Sequence, residues 1–315
     1  MNLLNPYIKN INRVEFTVNN SCTSRCKHCS EGHLEANKVI DEVKASKALQ
    51  KISQYYKVGS IMTFGGEALI YPEKVCTIHQ MAKTCGIPSR QLITNGCFSK
   101  NPSRITEVAK MLEESGVNCI LLSVDGFHEE FLPLDWVRQF AEALLLHYKG
   151  TFLLHPSWVR DEKDDNPYNE KTRACLEYFS DLKISANEGN VIFPSGMAVK
   201  NLSEYFEKKP IDFDFRCGEA IYTTPLDQVQ EIMIDCNGDV KPCCFPIGNI
   251  NDQEIEEILR SYDPFANPYT KALIKKGIYG LVEVANKQQL VFNVEAHYSP
   301  CSLCGAIAKA AGQKK

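Results

Sequence analysis

The sequence predicts an α/β fold in which a parallel sheet with crossover helices is followed by a smaller α+β region. Strand-like and helix-like segments alternate in six β-then-α units over the first two-thirds of the 315 residues. An Asn-Gly dipeptide between two β-rich segments then indicates a hairpin in the last third. Hydrophobic residues make up 44% and charged residues 23% of the chain, so the sequence can bury a core and is neither disordered nor collagen-like.

The predicted strands are short segments rich in β-branched or apolar residues, at 13–18, 60–64, 91–94, 119–124, 151–155 and 191–193. The predicted helices lie between them, at 41–56, 72–84, 103–114, 134–147 and 171–181. Consecutive strands that are each followed by a helix form a parallel sheet. Such a sheet is either open and doubly wound or curved into a full or partial barrel, and periodicity alone does not distinguish these forms.

The last third has a different pattern. Residues 208–216 are typical of a linker, and residues 231–243 predict a hairpin that turns at Asn237-Gly238, a dipeptide suited to a type I′ turn. Helices are predicted at 254–262 and 269–278, and a short helix at 306–315. These segments predict two domains, at residues 1–205 and 206–315.

Charge and composition exclude several classes of partner. With 35 Lys and Arg against 39 Asp and Glu, the net charge of −4 argues against a nucleic-acid-binding surface. No segment approaches the ~18–20 consecutive apolar residues of a membrane span, and the first residues lack the pattern of a signal peptide. We therefore expect a cytoplasmic protein. Its 14 cysteines then predict metal binding or thiol chemistry rather than disulfides.

The first cysteine cluster directly follows the first predicted strand. Cys22, Cys26 and Cys29 can surround one small metal centre with three thiolates. A structural zinc ion or an electron-carrying iron–sulfur cluster takes four protein ligands, so three leave one metal position open for another molecule. The alternative is a zinc site of three cysteines and one histidine, with His28 or His33 as the fourth ligand.

The spacing of these cysteines and their place after the first strand resemble the radical S-adenosylmethionine (radical SAM) superfamily. The resemblance implies that the three cysteines hold a [4Fe–4S] cluster whose fourth iron binds the amino and carboxylate groups of SAM. It also implies that His28 lies near the adenine. The implied fold is a partial (β/α)6 barrel, similar to a TIM barrel, over about residues 12–200.

Further motifs of the superfamily occur in the expected order, each after a predicted strand. The resemblance implies that they contact the amino group, ribose, methionine and adenine of SAM: Gly65, Gly66, Glu67, Asn95, Ser123, Asp125 and Gly196. One departure is Ala68, where the superfamily more often has proline. His155 ends the fifth strand and is expected to contact SAM or the substrate. Such positions are where parallel α/β folds place their sites, although each motif alone is also compatible with an ordinary turn.

A second cysteine set lies in the last third, at Cys217, Cys243, Cys301 and Cys304. Together with the hairpin, it resembles the C-terminal module called SPASM, or its shortened form, twitch. Too few other cysteines lie nearby to complete a second auxiliary site, so the resemblance implies the twitch form with one auxiliary [4Fe–4S] cluster. A four-cysteine zinc site is the alternative. Either Cys243 or Cys244 could be the ligand from the hairpin, and the family spacing from Gly238 favours Cys243.

The resemblance implies reductive cleavage of SAM to a 5′-deoxyadenosyl radical, which removes a hydrogen from a substrate C–H bond, with electrons from an external reductant of the flavodoxin or ferredoxin type. Residues 123–131, the Cys243-Cys244 pair and the Cys301–Cys304 ending are similar to twitch-type epimerases that make D-residues in ribosomal peptides. In such an enzyme a cysteine thiol returns hydrogen to the opposite face of Cα. Cys244 is the candidate donor and Cys236 the second, although Cys244 could also be a packed neighbour of a ligand.

Other reactions are compatible with the same motifs. One is oxidation or epimerisation of a sugar, polyol or aminocyclitol, and the short segment before the first strand favours it because it leaves no room for a leader-peptide-binding domain. Another is thioether or carbon–carbon crosslinking in a peptide. The expected partner is therefore a peptide or a small-molecule substrate. A non-catalytic iron–sulfur or zinc protein is the hypothesis from a different class.

Overall fold

A computed structural model of the chain describes residues 5–30, 37–220 and 223–313. Ten strands follow one another along the described chain: β1 Ile8–Thr17, β2 Ser60–Phe64, β3 Ser89–Thr94, β4 Cys119–Ser123, β5 Thr151–His155, β6 Ser157–Trp158, β7 Asn190–Val191, β8 Val229–Ile234, β9 Asp239–Lys241 and β10 Gly248–Asn249. The α-helices are α1 Glu42–Tyr55, α2 Pro72–Thr84, α3 Pro102–Ser115, α4 Gly126–Glu129, α5 Leu134–His147, α6 Pro167–Tyr178, α7 Gly196–Asn201, α8 Ile255–Ser261, α9 Pro268–Lys287 and α10 Pro300–Gln313.

The central sheet has the strand order β10-β9-β8-β1-β2-β3-β4-β5, and β1 to β5 are parallel neighbours joined by helices. This confirms the α/β class. Strand β6 follows β5 after one residue, Pro156, and pairs in parallel with β7. The sequence places the last of these strands at 191–193, whereas β7 is Asn190–Val191, because its pairing partners are Ser157 and Trp158.

Strand β1 is longer than the sequence predicts. It begins at Ile8 rather than at residue 13, because its first part pairs with β8, where Ile8 lies opposite Val229. The register shifts between Ile8 and Arg13, after which Phe16 lies opposite Ile234. Strand β8 is parallel to β1, so both strands end at the same edge of the sheet. This edge carries the first cysteine loop.

Local signals set many of the helix boundaries. The side chain of Asp41 accepts hydrogen bonds from Val43 N and Lys44 N at the start of α1. Asn101 caps α3 in the same way, and Gly116, with φ 85°, ends it. The boundaries predicted from sequence for α2 and α5 agree with the observed ones, since caps and apolar periodicity act within one helix.

The β8–β9 hairpin lies where the sequence predicts it, but its turn is not type I′. A type I′ turn needs positive φ at both central residues, and of the two only Gly238 has it, at 88°. Gly238 N donates to Asp235 O over 2.8 Å, and the Asp235 carboxylate accepts from Asn237 N and Asp239 N. The Asp235 side chain thus organises a longer loop that Gly238 completes.

The predicted helix at 269–278 continues in α9 to Lys287, past a kink at Gly277. A Cβ on Gly277 would lie 2.7 Å from the carbonyl oxygens of Asp214 and Phe215. Ile278 N donates to that Phe215 oxygen over 3.1 Å. Glycine is therefore required here by the segment that crosses the helix before β8.

The buried side chains form two large clusters. One joins β1 to β5 and their helices with β8, Ile250 and α8. The other lies around the C-terminal cysteines and contains Leu273, Leu281, Leu303 and Ile307. The domain boundary at residue 205 remains a prediction. Within the described chain, none of the helices has the length and apolar character needed to cross a bilayer.

Candidate active site at the carboxyl edge of the sheet

The first cysteine loop directly follows β1. Cys26 is buried, Cys29 is half-buried and Cys22 is exposed. A turn closes with a 3.2 Å hydrogen bond from Cys29 N to Cys26 O. Ser24 contacts two of the thiols: its backbone N lies 3.4 Å from Cys22 Sγ and its Oγ lies 2.9 Å from Cys26 Sγ. The loop therefore presents its sulfur atoms together with hydrogen-bond donors.

The Gly65-Gly66-Glu67 turn after β2 packs on the start of this loop. Gly66 N donates to Asn19 O over 2.9 Å, and Glu67 N donates to Ser21 O over 2.7 Å. A Cβ on Gly66 would lie 2.1 Å from Ser21 O, and one on Gly65 would lie 2.4 Å from Asn19 O. These glycines are required by the close approach of two backbones, which fixes the turn beside the cysteines.

Glu67 is buried, and burial raises the pKa of its carboxyl group. Its carboxylate accepts three hydrogen bonds, from Leu69 N at 2.9 Å, Thr94 Oγ1 at 2.6 Å and Asn95 N at 2.7 Å. The carboxylate therefore ties the turn after β2 to the end of β3.

Buried Asp125 pairs with half-buried His128 after β4, where Ser123 is also buried. The Asp125 carboxylate caps α4 by accepting from Phe127 N and His128 N, and both its oxygens lie 2.9 Å from His128 Nδ1. Burial opposes the ionisation of Asp125, but the charge and hydrogen bond of His128 outweigh it and lower the pKa to about 2. The pair therefore carries a carboxylate that is ionised at neutral pH.

From the sequence, His128, Glu129 and Glu130 either face the substrate or form a solvated helix start, and the acidic run favours the solvated start. The His128 side chain is only 18% exposed. Glu129 pairs with Lys171, and Glu130 with Lys27. The signal that could have identified His128 is its spacing of three residues from Asp125, which brings both side chains to one face of a helical turn.

His28 lies within an aromatic group. Its ring centroid lies 4.7 Å from that of Phe127 and 4.9 Å from that of His128, and Phe127 stacks on Tyr168. Burial lowers the pKa of His28 to about 4, so the ring is neutral at pH 7. Its Nε2 lies 3.4 Å from Ser157 Oγ, whereas its Nδ1 is buried and has no hydrogen-bond partner among the described residues. Possible ligand atoms of Cys26, His28 and His128 lie within 4.8 Å of one another.

His155 is held between two asparagines at the end of β5. Its Nδ1 lies 3.0 Å from Asn187 Oδ1, and its Nε2 lies 2.8 Å from Asn190 Nδ2. An amide oxygen accepts and an amide nitrogen donates, so this pairing fixes the tautomer with hydrogen on Nδ1. Burial lowers the pKa of the ring, so a neutral His155 lies at the edge where the sequence expects it.

Gly196 packs on the end of the cysteine loop. It has φ 58°, and a Cβ there would lie 2.3 Å from Ser30 O and 2.6 Å from Cys29 O. Ser195 Oγ donates to the same Ser30 oxygen over 3.2 Å. The segment after β7 is thus held against the third cysteine.

These observations fit a metal cluster with an organic ligand beside it. Three thiols lie on one short loop with donors next to two of them, glycine segments pack on both ends of the loop, and His28 Nδ1 is buried without a partner. A buried orphan nitrogen is the feature that a hydrogen-bonding ligand would satisfy. His33, the other ligand of the zinc alternative, lies outside the described residues.

A second thiol group lies in the C-terminal core. Cys217 Sγ and Cys243 Sγ are 3.7 Å apart, and the sulfur atoms of Cys243, Cys244 and Cys304 lie within 4.8 Å of one another. Cys301 lies one helical turn before Cys304 on α10 and interacts electrostatically with Cys243 and Cys244. Hydrogen bonds from the thiols of Cys217, Cys244 and Cys304 hold the pKa of Cys243 well below its usual range. Contacts between sulfur atoms therefore link Cys217, Cys243, Cys244 and Cys304, and Cys301 lies one helical turn from this group. That makes five cysteines in or beside a site where a [4Fe–4S] cluster takes four protein ligands.

Cys236 lies near the carboxyl edge of the sheet. It follows β8, whose end lies beside the end of β1, and its thiol interacts electrostatically with Lys38. Lys38 O accepts from Asn20 N over 3.2 Å, two residues before Cys22. Burial raises the pKa of Cys236, so its sulfur is a thiol at neutral pH.

Two protein families match the sequence. Residues 16–146 match the radical SAM superfamily, and residues 228–280 match SPASM, an iron–sulfur cluster-binding domain. The two matches cover the first cysteine loop and the hairpin with Cys243 and Cys244. A comparison with curated proteins finds no match.

Solved structures of similar fold include two of anSMEcpe. The one with bound AdoMet has a TM-score of 0.53 at 15% identity, and the alignment covers 84% of each chain. The one with AdoMet and the Cp18Cys peptide has a TM-score of 0.51 at 14% identity, with 87% of this chain and 85% of that one covered. BtrN in complex with AdoMet and 2-DOIA has a TM-score of 0.46 at 15% identity, with coverage of 95% and 93%. At these identities the anSMEcpe structures support the fold.

Proposed function

We propose that this chain, which carries a radical SAM domain followed by a SPASM-type iron–sulfur cluster-binding domain, is a peptide epimerase that converts an L-residue into a D-residue. Its cofactors are SAM and two [4Fe–4S] clusters, which when bound supply electrons and the 5′-deoxyadenosyl radical. The observation that carries the proposal is that five cysteines lie in or beside the auxiliary site, where a cluster takes four ligands, so that one thiol is left over as a hydrogen donor.

The two cysteine groups have separate roles in this proposal. Cys22, Cys26 and Cys29 hold the SAM-binding cluster. Cys217, Cys243, Cys301 and Cys304 hold the auxiliary cluster, as the spacing of the family implies. A centre that already has four thiolates has no position for Cys244, whose thiol then keeps its hydrogen.

The residues at the sheet edge bind and orient the cofactor and the substrate. His28 and Phe127 provide an aromatic wall with one free ring nitrogen, which suits an adenine. Asp125 and His128 provide a fixed charged pair, and His155 provides a neutral ring held by two amides. A peptide substrate agrees with the peptide present in one anSMEcpe structure.

In the proposed reaction the substrate would lose a hydrogen atom from Cα to the 5′-deoxyadenosyl radical, which would leave as 5′-deoxyadenosine, and the substrate would become planar at that carbon. The Cys244 thiol then gives a hydrogen atom to the opposite face and becomes a thiyl radical. One electron from the external reductant and one proton restore the thiol, and one further electron is used for each SAM that is cleaved. Cys236 is the second candidate, since it follows β8 at the carboxyl edge of the sheet, where the first cysteine loop also begins.

The test is an anaerobic reaction of the reduced holoenzyme with SAM and a source-cell extract in deuterated water, followed by mass spectrometry. A peptide that gains one deuterium, and that yields a D-residue after hydrolysis, is the expected product. Cys244→Ala should still release 5′-deoxyadenosine but form no such peptide. Cys119→Ala is the matched control. Cys119 begins β4, so it lies at the amino end of that strand, away from the carboxyl edge that carries the site.

Each other outcome has a defined meaning. A product lighter by two hydrogens would overturn epimerisation: a small polyol or aminocyclitol would indicate a dehydrogenase, and a peptide would indicate a crosslinking enzyme. Deuterated product from Cys244→Ala but not from Cys236→Ala would assign the donor to Cys236. Failure to cleave SAM would contradict the radical mechanism.

A further inference from the structure

We propose that Asn95 raises the reduction potential of the cluster held by Cys22, Cys26 and Cys29, by donating a side-chain N–H to the Cys22 sulfur, and that Glu67 is the positioning residue that holds Asn95 in place. The proposal rests on the chain holding that cluster, and not on epimerisation. It assigns Asn95 to the cluster rather than to the SAM contact that its sequence motif suggests.

The side chain of Asn95 has only one orientation that satisfies its neighbours. Its Oδ1 accepts a hydrogen bond from Cys97 N over 2.8 Å, so the opposite end of the amide is the NH2 group. That Nδ2 lies 3.2 Å from Thr23 Oγ1 and 3.7 Å from Cys22 Sγ. Asn95 is only 5% exposed, so water does not compete freely for these contacts.

Glu67 fixes the backbone from which this side chain projects. Its Oε2 accepts from Asn95 N over 2.7 Å, while its Oε1 accepts from Thr94 Oγ1 and Leu69 N. No lysine, arginine or histidine pairs with this carboxylate in the described part of the chain. This buried carboxyl group is instead stabilised by these hydrogen bonds, so the position of Asn95 depends on their geometry.

The other groups that contact these sulfurs are Ser24, within the loop, and His128, which forms a side-chain hydrogen bond with Cys26. Ser24 N lies 3.4 Å from Cys22 Sγ, and Ser24 Oγ lies 2.9 Å from Cys26 Sγ. Asn95 reaches Cys22 from the end of β3, so its contact depends on how the sheet places β3 beside the loop. The Asn95 donor can therefore be removed by a substitution outside the cysteine loop, whereas the Ser24 donor is part of that loop.

Hydrogen bonds to cluster sulfurs favour the reduced state, because reduction adds negative charge that is shared with the thiolates. Other residues around a metal site change its properties in the same way without being ligands. Losing the Asn95 N–H should therefore make the cluster harder to reduce. It should not change the number of iron atoms bound.

The test is a redox titration of the holoenzyme followed by EPR, using the signal that responds to added SAM. At a fixed potential, Asn95→Leu should lower the ratio of reduced to oxidised cluster about three- to tenfold, where tenfold corresponds to 59 mV for a one-electron couple. Glu67→Gln should shift the ratio in the same direction. It replaces one carboxylate oxygen, which accepts a hydrogen bond, by an NH2 group that faces the donors Leu69 N, Thr94 Oγ1 or Asn95 N. Thr23→Val is the matched control and should leave the ratio unchanged, since it keeps the Asn95–Cys22 contact.

Iron content is measured for each variant. If Asn95→Leu lowers the iron content, Asn95→Ser serves as a second variant, because a serine hydroxyl is too short to reach Cys22. A wild-type potential in an Asn95 variant with full iron content would overturn the proposal. If that variant instead bound SAM more weakly, Asn95 would be a SAM contact alone. If the enzyme proved to oxidise its substrate, the epimerase proposal would fail but the effect of Asn95 on the cluster potential would remain. The two proposals therefore fail separately.

Discussion

The backbone N–H of Met197 donates a hydrogen bond to the carbonyl oxygen of Cys29, 2.8 Å away. Met197 follows β7, whereas Cys29 ends the loop after β1. This bond holds the end of the loop, whereas the Gly65-Gly66 turn packs on its start. The cysteine loop is therefore held at both ends by backbone contacts with distant segments.

Removing one of the loop cysteines should remove one cluster and leave the other. We expect Cys29→Ala to lower the iron content from about eight to about four atoms per chain, because three thiolates are needed for the SAM-binding cluster. The remaining EPR signal should no longer respond to SAM. Iron analysis after anaerobic purification tests this, with Cys175→Ala, a buried cysteine of α6, as the control. Zinc in place of iron would contradict both cluster assignments.

The auxiliary site offers a second iron measurement. We expect Cys243→Ala and Cys301→Ala each to lose about four iron atoms and Cys244→Ala to lose none, because the proposed ligands are Cys217, Cys243, Cys301 and Cys304. The opposite result, with iron lost from Cys244→Ala and kept in Cys301→Ala, would assign Cys244 as a ligand. Cys301 would then be the spare thiol.

Gly66 should not tolerate a side chain. A Cβ there would lie 2.1 Å from Ser21 O, a backbone atom next to Cys22. We expect Gly66→Ala to lower the free energy of unfolding by about 1–3 kcal/mol, as crowded substitutions do, and to lower the occupancy of the first cluster. Urea unfolding and iron analysis measure both effects. Gly312→Ala on α10, which meets nothing within 4 Å, should be neutral or stabilise by up to about 1 kcal/mol; equal stability of the two variants would contradict the prediction.

His79 should make stability depend on pH. It is fully buried against Thr63, with 2.9 Å between Nε2 and Oγ1, and burial lowers its pKa to about 3. The unfolded chain therefore binds a proton at a higher pH than the folded chain does. Stability is complete above the unfolded pKa of about 6.5 and is lost as the pH falls, by about 2 kcal/mol between pH 8 and pH 5.

Urea unfolding at the two pH values checks this for the wild type and for His79→Leu. The variant is expected to be less stable at pH 8, because Thr63 loses its partner, but to lose about 2 kcal/mol less between pH 8 and pH 5. His147→Gln is the control, since it removes a histidine from the last turn of α5. An unchanged difference between the two pH values in His79→Leu would show that His79 is not the group responsible.

Much of the fold follows from local sequence. The caps at Asp41 and Asn101 and the apolar periodicity of α5 act between residues a few positions apart, so they can be read along the chain. The same holds for the two cysteine motifs, whose spacing predicts metal centres and whose positions predict the edge of a parallel sheet. The sequence therefore determined the α/β class and the chemistry of the ligands.

The tertiary structure decided what depends on residues far apart. The start of β1 at Ile8 depends on pairing with β8, and the direction of the Asn95 amide depends on Cys97 and on the carboxylate of Glu67. The meeting of Cys244 with Cys304 depends on the position of α10 in the C-terminal core. No local pattern encodes these contacts, because packing brings together side chains whose separation along the chain is unrelated to their separation in space.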